Sequence, residues 1–379
     1  MRTPSRHQQP RRHHPHSNSA IDALEERRLM STSTFYNQTN LVSDDAAPGT
    51  RTDANLVNGW GIAHGPDGPW WVSAAETGLS IAYDGTGAPA APDVQIPFAA
   101  GQTESNPTGV AANANDDFVV KSGHTRAPSL YVFVTENGTI SGWNPAVDET
   151  HAILAVDNSA SGAVYKGVAI AVRKHHDFVY AANFHAGTID VFDSAFAPVA
   201  HKRAAFRDTQ LPAGYAPFNV TTIDNQLYVT YALQDADAHD DVAGPRHGFV
   251  DVFNTDGTLV KRFASRGSLD SPWGTVVAPH DFGLFSDDIL IGNFGNGKIS
   301  AFNRKGRFMG FVTGADANPV EIPGLWGIGF GNDAGAGPAN TLFFAAGPGE
   351  ESHGLFGTLT AAKTHHHHST TTTNGGFNY

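Results

Sequence analysis

"NGWGIA", residues 58–63, returns as "SPWGTV" at 271–276 and as "GLWGIG" at 324–329. Each copy sets Trp-Gly ahead of a short apolar alternation, the period-two pattern of a half-buried strand. Three more runs open in the same way on Gly or Asn: "PTGVA", "YKGVA" and "PFNVT". The six anchors are Gly61, Gly109, Gly167, Asn219, Gly274 and Gly327, spaced 48, 58, 52, 55 and 53 residues apart. A near-constant period of this size is the mark of a repeat architecture.

Each repeat continues in a fixed order. A second run rich in β-formers follows the anchor: "WWVSA" 70–74, "DFVVK" 117–121, "FVYAA" 178–182, "QLYVT" 226–230, "DILIG" 288–292 and "TLFFA" 341–345. A third run comes next, from "LSIAY" 79–83 and "SLYVF" 129–133 to "GLFGT" 354–358. Turns such as "DGTG", "ENGT", "TDGT" and "RKGR" then lead to a fourth run such as "LVKRF" 259–263. Gly-bearing turns between β-rich runs signal hairpins. Four antiparallel strands per unit, six times over, predict an all-β, six-bladed β-propeller over residues 35–360.

The anchors suit the innermost strand of a blade, where six strands converge and a glycine lets backbones approach closely. Trp60, Trp273 and Trp326 are expected to wedge between neighbouring blades and bury large apolar faces. The last unit supplies only three clear strands. The run "YNQTNLVSD", 36–44, is expected to add the fourth, so that an N-terminal strand closes the ring and leaves no open edge.

Composition narrows the function. The formal net charge of −13 argues against a nucleic-acid-binding surface. The absence of Cys removes disulfides, thiolate metal sites and Cys nucleophiles together. No run approaches ~18 consecutive apolar residues, so no transmembrane segment is expected. Residues 1–34 open on "MRTPSRHQQPRRHHPHSNSA", basic and His-rich, and 361–379 include "KTHHHHSTTTTNGGFNY"; composition predicts disorder for both. A G-x-S-x-G elbow, an H-E-x-x-H helix and a Walker loop are all missing from the sequence.

Propellers bind ligands at the mouth of the channel, on the face formed by the loops between second and third strands and the loops leading into the innermost strand. With the strands placed as above, the first loop set offers Glu76, His124 (beside Lys121 and Arg126), Asn183, His185, Asn293 and His353 (beside Glu350 and Glu351). The second set offers Asn58, Asn106, Lys166 and Asn219, whose amides could equally cap their own turns. Blade 4 carries an extra polar stretch, "LQDADAHDDVAGPRHG" at 233–248. Long polar loops in compact domains are often functional. Its Asp235, Asp237, His239 and Asp241 could bind a divalent cation: oxygen ligands suit Ca²⁺, and His with Asp suits Zn²⁺ or Mn²⁺. A solvated acidic loop is the competing reading.

The segments "LVNGWGIAHGPDGPWWV", "YAANFHAGTIDVFDSAFAPV", "LPAGYAPFNV", "LYVTYALQDADAHDDVAGPRHGFVDVFNTDGTLV" and "HGLFGTLT" resemble a family of exported bacterial β-propellers without an assigned activity, usually described by similarity to NHL-repeat proteins. "IDALEERRLMST" resembles the LEPR-type N-terminal motif of exported planctomycete proteins, with Glu26 where that motif has Pro. The resemblance implies the propeller fold and an extracellular or cell-surface location. The expected function is a monomeric module that binds a small ligand or a protein at the channel mouth. The alternative is a metal-dependent hydrolase or lyase resembling the gluconolactonase site.

Overall fold

In the computed structural model, residues 34–45, 50–202 and 204–363 are described; the two terminal extensions read from the sequence lie outside them except for Thr34 and residues 361–363, which belong to strands. Blade 1 orders the strands Gly59–His64, Trp70–Ala74, Leu79–Tyr83 and Val94–Gln95 from the axis outward. Blade 4, Tyr215–Ile223, Gln226–Leu233, Phe249–Asn254 and Leu259–Ser265, has the longest inner hairpin beside that of blade 3. Blade 5 follows the same pattern from Pro272–Val277 to Phe308–Phe311. Blade 3 forms three full strands, with its fourth reduced to the bridge between Phe192 and Pro198. The result is an all-β, six-bladed β-propeller of mostly four-stranded antiparallel blades.

Close approach explains the anchors. A Cβ built on Gly274 would meet the Trp326 carbonyl oxygen at 2.7 Å, and one on Gly327 would meet that of Trp60 at 2.6 Å. Any side chain at these positions would therefore push neighbouring innermost strands apart. Asn219 occupies the equivalent place in blade 4 and uses it differently: its Nδ2 donates to the Trp273 carbonyl oxygen at 3.0 Å, joining blade 4 to blade 5.

The ring closes as expected. Thr34–Ser43 lies beside Leu355–Lys363 as the outer strand of blade 6, and Arg51–Thr52 adds a short parallel fifth strand. Tyr36 anchors the closing strand: its ring lies against Phe282 and Phe285, and its hydroxyl donates to the Phe282 carbonyl at 3.0 Å. Buried aromatics fill the other seams, as with Trp70, Tyr83, Phe343 and Phe356 between blades 1 and 6. Among the described residues no helix is long and apolar enough to cross a membrane.

Two placements differ from the sequence reading. In blade 2 the second strand is Tyr131–Thr135, the third Thr139–Trp143 and the fourth Ile153–Asp157. "DFVVK" instead lies in an inserted hairpin, Val119–Ser122 with Thr125–Pro128. That hairpin imitates a blade strand because its Phe118 and Val120 are buried against blade 3 and its own blade. The second difference concerns Trp60, Trp273 and Trp326. They are buried, as expected, but they converge on the channel axis in one cluster with Phe184 and Phe218 rather than each wedging between two neighbours.

Candidate binding site at the channel mouth

The aromatic cluster floors the mouth. Trp326 is sandwiched between Trp60, 3.7 Å centroid to centroid, and Phe294, at 3.9 Å, both stacked. Trp273 meets Trp326 edge-on at 5.9 Å. The Trp326 indole N–H donates to Asn58 Oδ1 at 3.1 Å, and Asn58 Nδ2 donates to Glu351 Oε2 at 3.2 Å. Asn58 holds this post with a positive φ of 50°, a conformation that Asn tolerates better than most residues. Beyond the floor, a separate cavity of about 230 Å³ runs toward the opposite face, walled by Ile62, Val110, Ile170, Val220 and Ile328 among others.

Above the floor stands Lys166, from the innermost strand of blade 3. Its side chain is almost wholly buried, and its Nζ lies 5.2 Å from the Trp60 ring centroid and 6.0 Å from that of Phe184. It forms an ion pair with Glu136, from the turn between the second and third strands of blade 2. It forms another with Asp240 of the long blade 4 loop, at 3.0 Å. The Lys166 carbonyl accepts the Trp273 indole N–H at 3.0 Å, which fixes the strand over the floor.

Burial alone would lower the Lys166 pKa, but the carboxylates of Glu136 and Asp240 outweigh it and hold the pKa raised, so the group stays an ammonium. Asp240 moves the other way, held well below the usual carboxylate range by its hydrogen bond with His239 and by Lys166. His239 is raised in turn, chiefly by that bond to Asp240. Asp240 is two-thirds exposed, so water screens its share of these interactions.

The remaining acids are destabilised as anions. Burial, reinforced by the Glu136 charge, pushes Glu351 up to about 7. Burial pushes Asp241 up to about 6, and its Oδ2 has no hydrogen-bond partner among the described residues. Glu76 is raised as well, by burial first, although it accepts a hydrogen bond from Asn58. The mouth thus gathers Glu76, Glu136, Asp240, Asp241 and Glu351 around one ammonium.

The residues chosen from sequence divide sharply. Glu76 reaches the mouth. His124 does not: it sits at the tip of the inserted hairpin, in the loop joining the first and second strands of blade 2, which lies on the opposite face. Asn183 is spent on the fold, donating to Asp190 Oδ2 at 2.9 Å and accepting from the backbone N–H of Ala186 at 3.2 Å. Asn293 likewise serves Lys298, Ser300 and Asp270, and Asn219 serves the blade 4–5 junction. His185 is exposed in the turn of blade 3. His353 turns to the closing strand, 2.9 Å from Asp44 and 3.2 Å from Asp45.

The four metal candidates do not converge. Asp235 Oδ1 accepts the backbone N–H of His239 at 2.9 Å and of Asp240 at 3.3 Å, so it shapes its own loop. Asp237 is exposed and makes no hydrogen bond or ion pair among the described residues. Two other sets converge among the described residues, each with ligand atoms within 4.8 Å of one another: Asp44, Asp45 and His353 beside the closing strand, and Glu136, His239 and Asp240 at the mouth. The Lys166 ammonium sits against the same Glu136 and Asp240 oxygens, so the chain supplies its own cation there. Glu136 escaped the sequence reading because the blade 2 strands were placed one early; "ENGT" marked its hairpin but not which face the turn occupies.

No protein-family model matches the chain. Among solved structures it is similar to a protein of unknown function from Bacteroides thetaiotaomicron, with a TM-score of 0.55 and 11% identity over 87% of this chain and 77% of that one. It is also similar to a streptogramin B lyase, with a TM-score of 0.50 and 10% identity over 87% and 98% of the two chains. At such identities the likeness is one of fold. Two relatives in sequence are uncharacterized proteins of Acanthamoeba polyphaga mimivirus. R648 is 32% identical over 324 residues, 84% of this chain and 78% of the relative, and L690 is 31% identical over 331 residues, 84% of each. The chain belongs to the β-propeller family that includes these two mimivirus proteins.

Proposed function

We propose that the protein is a binding module whose channel mouth takes a small cationic ligand. One observation carries this reading: Glu76, Glu136, Asp240, Asp241 and Glu351, from loops of four blades, surround a single ammonium that stands on the innermost strand of a fifth. A concave, partly desolvated site with excess carboxylate focuses a negative potential and concentrates cations. The two strained acids, Glu351 and Asp241, gain most from an arriving positive charge, because it favours their ionised forms. Calorimetric titration of the purified protein with 1,4-diaminobutane, against succinate as the opposite charge, tests the reading. Diamine binding that weakens in Glu351→Gln supports it; equal responses to both compounds contradict it.

A catalytic reading has one specific observation in its favour. Glu351, at about 7, is poised to exchange a proton near neutrality beside a fixed ammonium. A hydrolase or lyase reaction at the mouth would use it as general acid or base. Turnover of any member of a hydrolase and lyase substrate panel, abolished in Glu351→Gln, is the result this reading requires. An extracellular location is part of the proposal too, supported by the LEPR-like start; cell fractionation tests it.

A further inference from the structure

Beside the mouth, in the cleft between blades 1 and 2, lies a second cavity of about 310 Å³. Glu76, Gln95, Phe98, Glu104, Ser105 and Asn106 line it. Its volume stands at the lower bound of ~300–1,000 Å³ for small-molecule sites, room for one ring rather than a chain of them.

The wall is unusual in what it offers. Phe98 is 43% exposed while its neighbours Ile96 and Ala99 are buried, so the ring keeps an open face toward the cleft. The Gln95 amide nitrogen is spent on the carbonyls of Gly78, at 2.9 Å, and Ile96, at 3.2 Å. The Asn106 amide nitrogen is spent on the Ala75 carbonyl at 3.3 Å. Neither amide oxygen has a partner among the described residues. The Ser105 hydroxyl is buried in the same wall, 4% exposed, and also lacks a partner. Two carboxyls, Glu76 and Glu104, also line it; of the two threonines beside them, Thr77 spends its hydroxyl on the Asn55 carbonyl at 2.8 Å, and the lining contains no Lys, Arg or His.

Acceptors therefore outnumber donors, and the charge is of one sign. Such a wall selects a ligand rich in O–H and N–H donors and repels an anion. The open ring face of Phe98 offers an apolar platform, against which the C–H face of a pyranose packs. We propose that this cleft binds a single amino-sugar ring, its C–H face on Phe98, its hydroxyls toward Gln95, Ser105 and Asn106, and its ammonium toward Glu76 and Glu104. The site shares Glu76 with the mouth but does not depend on Glu351, so the two readings can fail separately.

Saturation-transfer NMR on the intact protein with glucosamine, glucose and glucuronate tests this. Glucosamine should bind most tightly, glucose several-fold more weakly, and glucuronate not at all. Phe98→Ala and Glu104→Gln, both at exposed positions, should each weaken glucosamine at least fivefold without changing the melting temperature, and Glu351→Gln should leave it bound. Absence of transfer to glucosamine, or glucosamine binding unchanged in both cleft variants, would overturn the proposal. Glucuronate binding as well as glucosamine would overturn it equally.

Discussion

The Lys166 ammonium lies 3.0 Å from the Asp240 carboxylate, and that bond ties the long loop of blade 4 to the innermost strand of blade 3. The same ammonium holds Glu136 of blade 2. One buried cation thus joins three blades over an aromatic floor. Removing it should strand the acids around it. Lys166→Ala should destabilise the protein by about 3 kcal/mol, the low end for a broken buried pair because Asp240 remains partly hydrated. Chemical denaturation of both proteins measures it, and a loss under ~0.5 kcal/mol would show that the pair is not coupled to folding.

The same variant should change the response to metals. In the wild-type protein Zn²⁺ should not be held at Glu136, His239 and Asp240, because Lys166 already neutralises Glu136 and Asp240. In Lys166→Ala, the Glu136, His239 and Asp240 donors are released, and Zn²⁺ should raise the melting temperature by mass action. A thermal shift in the wild type but not in the variant would contradict this assignment.

Stability should fall with rising pH through the Glu351 transition. Its folded pKa, about 7, stands above the ordinary glutamate value of 4.5. Between those values the folded state holds more protons than the unfolded state, so the destabilisation is absent in acid and fully present once the pH exceeds the folded pKa. Glu351→Gln removes it and still accepts the Asn58 hydrogen bond. The variant should gain about 1–3 kcal/mol at alkaline pH and little at acid pH. Urea denaturation across pH reads the difference.

Tyr36 closes the ring through a buried ring and one hydrogen bond. Tyr36→Ala should cost about 3–5 kcal/mol, as other large buried aromatics do. Trp326→Ala should cost a similar amount, since its ring is stacked on both faces and its N–H is bonded to Asn58. Near-wild-type stability of Tyr36→Ala would mean that closure rests on backbone pairing alone.

The sequence made the propeller legible because its signals are local and repeated. The glycine anchors need only close backbone approach, and the alternation needs only one buried face per strand. Closure by the 36–44 run followed from counting strands. Blade 2 was misread because Val119–Ser122 carries the same β-rich pattern as a blade strand, and pattern alone does not say which sheet a strand joins. The site was legible only in part. The blade 4 loop stood out by length and acidity, yet alternation along a loop does not place side chains in space: Asp235 folds back on its own loop, and Asp240 reaches Lys166. That a lysine would be the most buried charge at the mouth follows from the convergence of three blades, which no single segment records.

The central claim is that ionised acids at the mouth create the cation site. The affinity for 1,4-diaminobutane, measured by calorimetry from about pH 5 to 8 in wild type and Glu351→Gln, tests it most directly, since that window spans the raised Glu351 and Asp241 pKa values. The account predicts that wild-type affinity rises with pH as Asp241 and then Glu351 ionise, and that the variant loses the part of the rise centred near 7. Affinity that is flat with pH in the wild type, or identical in the two proteins, would contradict it.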